Sequence, residues 1–112
     1  MRRDDERLID IREAVQAALR FVEGRSAEDV ATDELLAAAL IQKITVIGEA
    51  AGRVSEARRG ELPELPWREM IGMRNLVTHD YWQVDPALLW QTVNGDLPWL
   101  LAQLDRIGLP ED

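Results

Sequence analysis

Apolar residues recur at three- and four-residue spacing along most of the chain, and no stretch shows the strict alternation of a half-buried strand. This pattern predicts an all-helical fold. Over residues 4–23, Leu8, Ile11, Val15, Ala18, Leu19 and Val22 fall on one face of a first helix, and Gly24 supplies a stop signal. Residues 25–32 are small and polar and read as a connector. Thr32 or Asp33 then caps a second helix running to about residue 59.

The second helix is apolar over an unusually wide arc. Leu36, Leu40, Ile44, Ile47, Ala51 and Val54 form one stripe, with Leu35, Ala39, Val46 and Ala50 on a neighbouring face. A helix of that breadth needs cover on more than one side, which suggests the chain's own core on one and a second subunit on the other. Gly60 and the run Leu62, Pro63, Glu64, Leu65, Pro66 end the helix and form a connector.

A third helix is expected to begin near Trp67 and to run towards His79 or Tyr81. Asp85 and Pro86 then read as the cap and first-turn residue of a fourth. Its apolar positions, Leu89, Trp90, Val93, Leu97, Leu100, Leu101, Leu104 and Ile107, are interrupted by Asn94, Gly95 and Pro98, where a kink or break is expected. The expected architecture is an antiparallel four- or five-helix bundle, with residues 1–112 forming one domain without internal repeats.

Composition narrows the chemistry. With no cysteine there is no disulfide framework or thiolate metal site, and one histidine argues against a histidine-based metal cage within a single chain. No metal or cofactor is therefore expected. The longest apolar run, residues 35–41, is far shorter than the roughly 20 residues needed to span a bilayer, so a cytoplasmic protein without a membrane segment is expected. The net charge of −8 opposes non-specific capture of nucleic acid. Any RNA contact must then be local. Of the 13 basic residues all but Lys43 are arginines, whose planar fork can grip a phosphate or carboxylate through two hydrogen bonds.

One segment departs from the packing pattern. Trp67, Met70, Ile71, Val77 and Tyr81 form a helical stripe, and Arg74 stands in the middle of it, on a face that ought to be buried. In a straight α-helix, at about 100° per residue, Arg74 and Tyr81 point within about 20° of each other, whereas His79 lies about 140° from Arg74. Asn75 and His79, four residues apart, share a face. Aiming Arg74 and His79 at one small group would need local unwinding, the reach of the arginine, or a second copy of the chain. Histidine can transfer protons near neutrality and arginine can stabilise charge building on a phosphate. Together they suffice for RNA cleavage without metal, in which a 2′-hydroxyl attacks the adjacent phosphorus and leaves a cyclic phosphate. The competing structural reading has Arg74 paired with an acid or snorkelling to water, and His79 as a capping or core group.

Arg74, Asn75, His79 and Tyr81 together match the R-x4-H-x-Y signature of the HEPN superfamily, and the segment resembles the HepT-like toxins in particular. Its surroundings agree, from Ile47-Gly48-Glu49-Ala50 through Pro66-Trp67-Arg68-Glu69-Met70-Ile71-Gly72-Met73 to the segment running from Trp90 to Pro98. The resemblance implies a homodimeric HEPN-type bundle with a composite cleft and metal-independent endoribonuclease activity. It also implies a type VII-like toxin–antitoxin pairing in which an MntA-like nucleotidyltransferase antitoxin transfers AMP to Tyr81. On that reading Arg74 and His79 are catalytic and Asn75 orients or hydrogen-bonds.

Other positions stay open. Glu49 either faces the motif arginine or lies on a solvated face. Gly48 reads as a close helix contact, and Trp67, Trp82, Trp90 and Trp99 read as packing residues before they read as base-stacking platforms. Two other functions compete with the ribonuclease: a non-catalytic HEPN partner that binds a nucleotidyltransferase or a nucleotide, and a helical dimerisation module whose polar cluster fixes register.

Overall fold

The stripe of residues 4–23 folds into α1, Arg2–Phe21, with Asp4 and Asp5 at the positive end of its dipole and Arg20 at the negative end. The structure, a computed structural model, describes residues 2–77 and 84–110, and every regular element among them is helical. Gly24, at φ 69°, adopts the left-handed conformation that ends α1, as Arg25 N–H turns back to the Val22 carbonyl.

The expected connector at 25–32 contains a helix, α2, Ala27–Thr32. Its single buried residue, Val30, leaves no periodicity to detect, and the helix is instead set by its start. Ser26 Oγ accepts from Asp29 N–H at 3.3 Å while Ser26 N–H donates to Asp29 Oδ2 at 2.8 Å, a reciprocal capping box. Arg25 ties this start to the next helix, lying 3.4 Å from Asp29 and 2.7 Å from Asp33.

Asp33 caps α3, Glu34–Arg53, by accepting from Leu36 N–H at 3.1 Å. This helix ends well before residue 59. Val54 is buried but extended, and Ser55 caps a separate helix, α4, Glu56–Glu61, accepting from Arg58 N–H. The break is fixed from α1: Ser55 donates its N–H to Asp4 Oδ1 at 2.9 Å and its hydroxyl to Asp4 Oδ2 at 2.7 Å. Gly60, expected to stop a helix, lies inside α4, and the proline-bounded connector follows.

α3 runs through the centre of the molecule. α1 packs along one flank, and α5, Trp67–Gly72, together with the 3-10 segment Met73–Val77, packs along another. Much of the wide apolar arc is therefore covered by the chain itself. Leu35, 81% exposed, is the large residue of that arc left in solvent. By length and composition alone α3 is apolar enough to cross a membrane, but here Leu40, Ile44 and Ile47 are fully buried in the common core.

Asp85 caps α6, Pro86–Gln91, accepting from Ala87 N–H at 2.9 Å, as the sequence predicts. The expected break after it is a widening. Thr92–Asp96 form a π-helical turn that leads directly into α7, Leu97–Ile107, with Leu97 N–H reaching back to the Thr92 carbonyl. Pro98 sits in the first turn of α7, where its missing N–H does least harm. Leu89, Val93, Leu97, Leu100 and Leu104 all stay in the core. α7 packs against α1, Gly108 ends it at φ 73°, and Arg12 Nη2 donates to the Pro110 carbonyl at 3.0 Å, tying this end back to α1. The all-helical bundle stands as expected, divided into more segments because α2 and α4 are short, self-capped insertions.

Asp4 gives this fold a pH dependence. The Ser55 backbone N–H, and then its hydroxyl, hold the Asp4 carboxyl below the ordinary carboxylate range. The stabilisation is complete above the unfolded value of about 3.9 and is lost as pH falls through the lowered folded value. Asp4→Asn should therefore lower Tm at pH 7, and thermal melts at decreasing pH should show the gap between the two proteins start to close near pH 3.9, the approximate unfolded value, and vanish below the lowered folded value. A constant gap across that range would show that the charge of Asp4 is not what matters.

Candidate functional site

α5 starts at Trp67, as the sequence predicts, but its α-geometry lasts only to Gly72 before tightening into the 3-10 segment. In that geometry successive side chains turn by about 120°, so the directions of a straight α-helix do not hold across Met73–Val77. Met70 is fully buried and Trp67 and Ile71 are half-buried, which keeps the start of the predicted stripe. Arg74 leaves it and is exposed, as is Asn75. Residues 78–83 lie outside the described residues, and with them His79, Tyr81 and Trp82.

Two glycines of α3 determine where Arg74 sits. A Cβ on Gly48 would lie 2.8 Å from both the Cα and the Cβ of Arg74 and closer still to its backbone nitrogen. The 3-10 segment thus occupies the space of the missing side chain, the close helix contact expected of Gly48. One turn further on, a Cβ on Gly52 would lie 3.1 Å from Arg74 Nη1. The arginine therefore extends along α3 from Gly48 to Gly52.

Among the described residues no carboxylate lies within ion-pair distance of Arg74. Of the two structural alternatives, pairing with an acid finds no support within them, whereas an arginine whose stem packs and whose head reaches water fits its exposure. Glu49 is exposed and forms no ion pair there either. Chemically, Arg74 offers a planar guanidinium whose donors are open to an anion.

Arg59 is a neighbour that sequence reasoning missed. Its Nη2 donates to the Ala51 and Gly52 carbonyls at 3.3 and 3.1 Å, and its guanidinium stands 5.9 Å from the centre of the Trp67 ring. Those carbonyls belong to the last turn of α3, where helix geometry leaves acceptors unpaired and partial negative charge collects. Nothing in the sequence pattern signals this role, because it depends on the chain folding back through α4. Trp67 is structural in the expected way, donating its ring N–H to the Leu62 carbonyl at 2.9 Å, and Trp90 packs against the core. Trp99 is 51% exposed and lines a cavity of about 450 Å³ with Met73, Leu100, Pro66, Gly95, Glu69 and Asp96.

Residues 11–107 match the protein family described as Ribonuclease HepT-like. A Thermococcus cleftensis protein whose name proposes a ribonuclease HepT is 35% identical over 100 residues, covering 89% of this chain and 91% of its own length. A Methanocaldococcus jannaschii protein whose name proposes an RNase is 30% identical over 100 residues, covering 89% and 92%. A Caldanaerobacter subterraneus protein, also named as an RNase, is 33% identical over 86 residues, covering 77% of each. No solved structure matches.

The contact at Gly48 makes a quantitative prediction. Alanine is ordinarily the better helix former, yet Gly48→Ala would drive a methyl group into the Arg74 backbone, which cannot swing aside as a side-chain tip can. Urea unfolding should show a loss of about 1–3 kcal/mol, the usual cost of overpacking. Unchanged or increased stability would contradict the close approach.

Proposed function

Because the chain belongs to the HepT-like ribonuclease family, we propose that it is a metal-independent endoribonuclease, the toxin of a type VII-like toxin–antitoxin pair. The observation that carries the reading is the exposed, acid-free placement of Arg74 at the head of the R-x4-H-x-Y segment. An arginine whose backbone is seated against a helix, with its head open to solvent and no acid at ion-pair distance among the described residues, can take an incoming anion.

In the proposed reaction the substrate 2′-oxygen bonds to the adjacent phosphorus, and the bond from phosphorus to the 5′-oxygen breaks. The products are a cyclic phosphate and a 5′-hydroxyl. His79 accepts the 2′ proton or donates one to the leaving oxygen, while Arg74 holds the phosphorane's added negative charge. Asn75 orients the phosphate, and Glu49, on the exposed side of α3, is a candidate for contact with RNA or the partner copy. A single histidine and no cysteine are compatible with metal-free chemistry. A cytoplasmic homodimer whose two copies share a cleft would bring a second His79 to the site, which suits a reaction needing both an acceptor and a donor of protons.

Regulation follows from charge and bulk. Transfer of AMP to Tyr81 by a nucleotidyltransferase antitoxin would place a phosphate in the segment headed by Arg74, competing with RNA for the same cation. The net charge of −8 favours a second reading, a non-catalytic partner that binds the transferase or a nucleotide through this segment.

RNA incubated with the protein in excess EDTA should be cleaved. Arg74→Ala should lower turnover about 100- to 1,000-fold and His79→Ala about 100- to 10,000-fold. Cleavage surviving both substitutions removes the assignment, and a complete lack of turnover in the wild type selects the non-catalytic reading. With ATP and the cognate transferase, intact-mass measurement should show adenylyl addition to the wild type but not to Tyr81→Phe, together with a fall in activity. Equal modification of both proteins would exclude Tyr81 as the acceptor.

A further inference from the structure

We infer that Gly52 is a positioning residue for Arg74, its lack of a side chain opening the lane in which the guanidinium lies on the last turn of α3. The inference rests on the reading of Arg74 as the phosphate-binding arginine and assigns a function to a residue outside the signature.

Glycine is not required at position 52 by the backbone. Among the described residues only Gly24 and Gly108 have positive φ, whereas Gly52 is helical, where alanine would be the more stable choice. What glycine provides there is space. A Cβ would meet Arg74 Nη1 at 3.1 Å, tighter than ordinary contact, and the atom it meets is the tip of a flexible side chain. The two glycines therefore act differently: Gly48 admits the Arg74 backbone, and Gly52 admits its charged head.

Arg59 completes the argument from the other side of the same residue. Its Nη2 donates to the Gly52 and Ala51 carbonyls while the guanidinium stands over Trp67, so that nitrogen is committed to ending α3. The Arg74 Nη1 lies beside Gly52 near the negative end of the α3 dipole, and among the described residues it makes no hydrogen bond to those carbonyls. Adding a methyl group at position 52 would make the head of Arg74 give way by a few tenths of an ångström from this end of the helix while leaving its backbone anchor at Gly48 in place.

The test is Gly52→Ala in the full-length protein, read in three ways. Tm should stay the same or rise, since the substitution favours the helix. RNA turnover should fall about 10-fold in kcat with little change in KM, because a misplaced charge-stabilising group acts on the transition state. In an Arg74→Lys background, whose ammonium lacks the planar fork, adding Gly52→Ala should cost less than about 2-fold. Equal losses in both backgrounds, or no loss in the wild-type background, would overturn the inference.

An activity-independent measurement separates this from the ribonuclease assignment. The Arg74 Nε–Hε cross-peak, assigned by its disappearance in Arg74→Lys, should shift in Gly52→Ala. If the wild type cleaves no RNA, the assignment of function fails while the cross-peak still decides the positioning. An unmoved Arg74 cross-peak overturns the inference whatever the activity.

Discussion

The approach of the 3-10 segment to α3 at Gly48 is the constraint from which the rest of the site follows. Because the Arg74 backbone fills the volume a side chain would otherwise occupy, this flank of α3 is sealed by the chain itself. The seal fixes where α5 ends, since the segment must tighten to stay against α3, and it turns Arg74 outward while Met70 one turn earlier remains fully buried. A residue that helical periodicity assigns to the core is thereby exposed without any loss of core packing.

The charges show the same division between structure and availability. Arg25 is spent on Asp29 and Asp33, Arg58 on Asp5 and Glu61, Arg12 on the Pro110 carbonyl, and Arg59 on the end of α3. Each holds one segment to another, which is how a chain with two short, weakly apolar helices keeps them in place. Among the described residues Arg74 pairs with no acid, and its backbone is seated against Gly48 instead. In a protein of net charge −8 such a point cannot recruit a polyanion from afar. On the proposed function it would act only on a phosphate already at contact distance.

How far the sequence reveals this arrangement depends on whether the deciding interaction is local. The Gly24 stop, the cap at Asp33, one of two candidates with Thr32, and the Asp85-Pro86 start are written in neighbouring residues, whereas at Gly48 the missing side chain marks a close contact without naming its partner, Arg74. The end of α3 was not legible, because Val54 continues the apolar stripe and the break is imposed through Ser55 by Asp4, 51 positions away. α2 escaped notice because one buried valine makes no pattern, although its capping box is visible once sought. The tightening after Gly72 was hidden for a different reason: three-residue spacing of apolar side chains suits both α and 3-10 geometry. Within the signature, the sequence singles out Arg74 as a charge on an apolar stripe but does not reveal the lane beside Gly52, which only tertiary packing brings to it.

The π-helical turn between α6 and α7 has a consequence for the length of the chain. It carries Asn94, Gly95 and Asp96, all exposed, between Val93 and Leu97, both fully buried. A turn widened in this way spends one residue more than α-geometry needs to join the same two ends. The surplus is taken up on the solvent side, so the two helices keep their inward faces in phase and form one nearly continuous rod. The rod thus has a seam at which a residue can be gained or dropped by interchanging α and π hydrogen bonding, while Leu100 and Leu104 beyond it stay in register with the core.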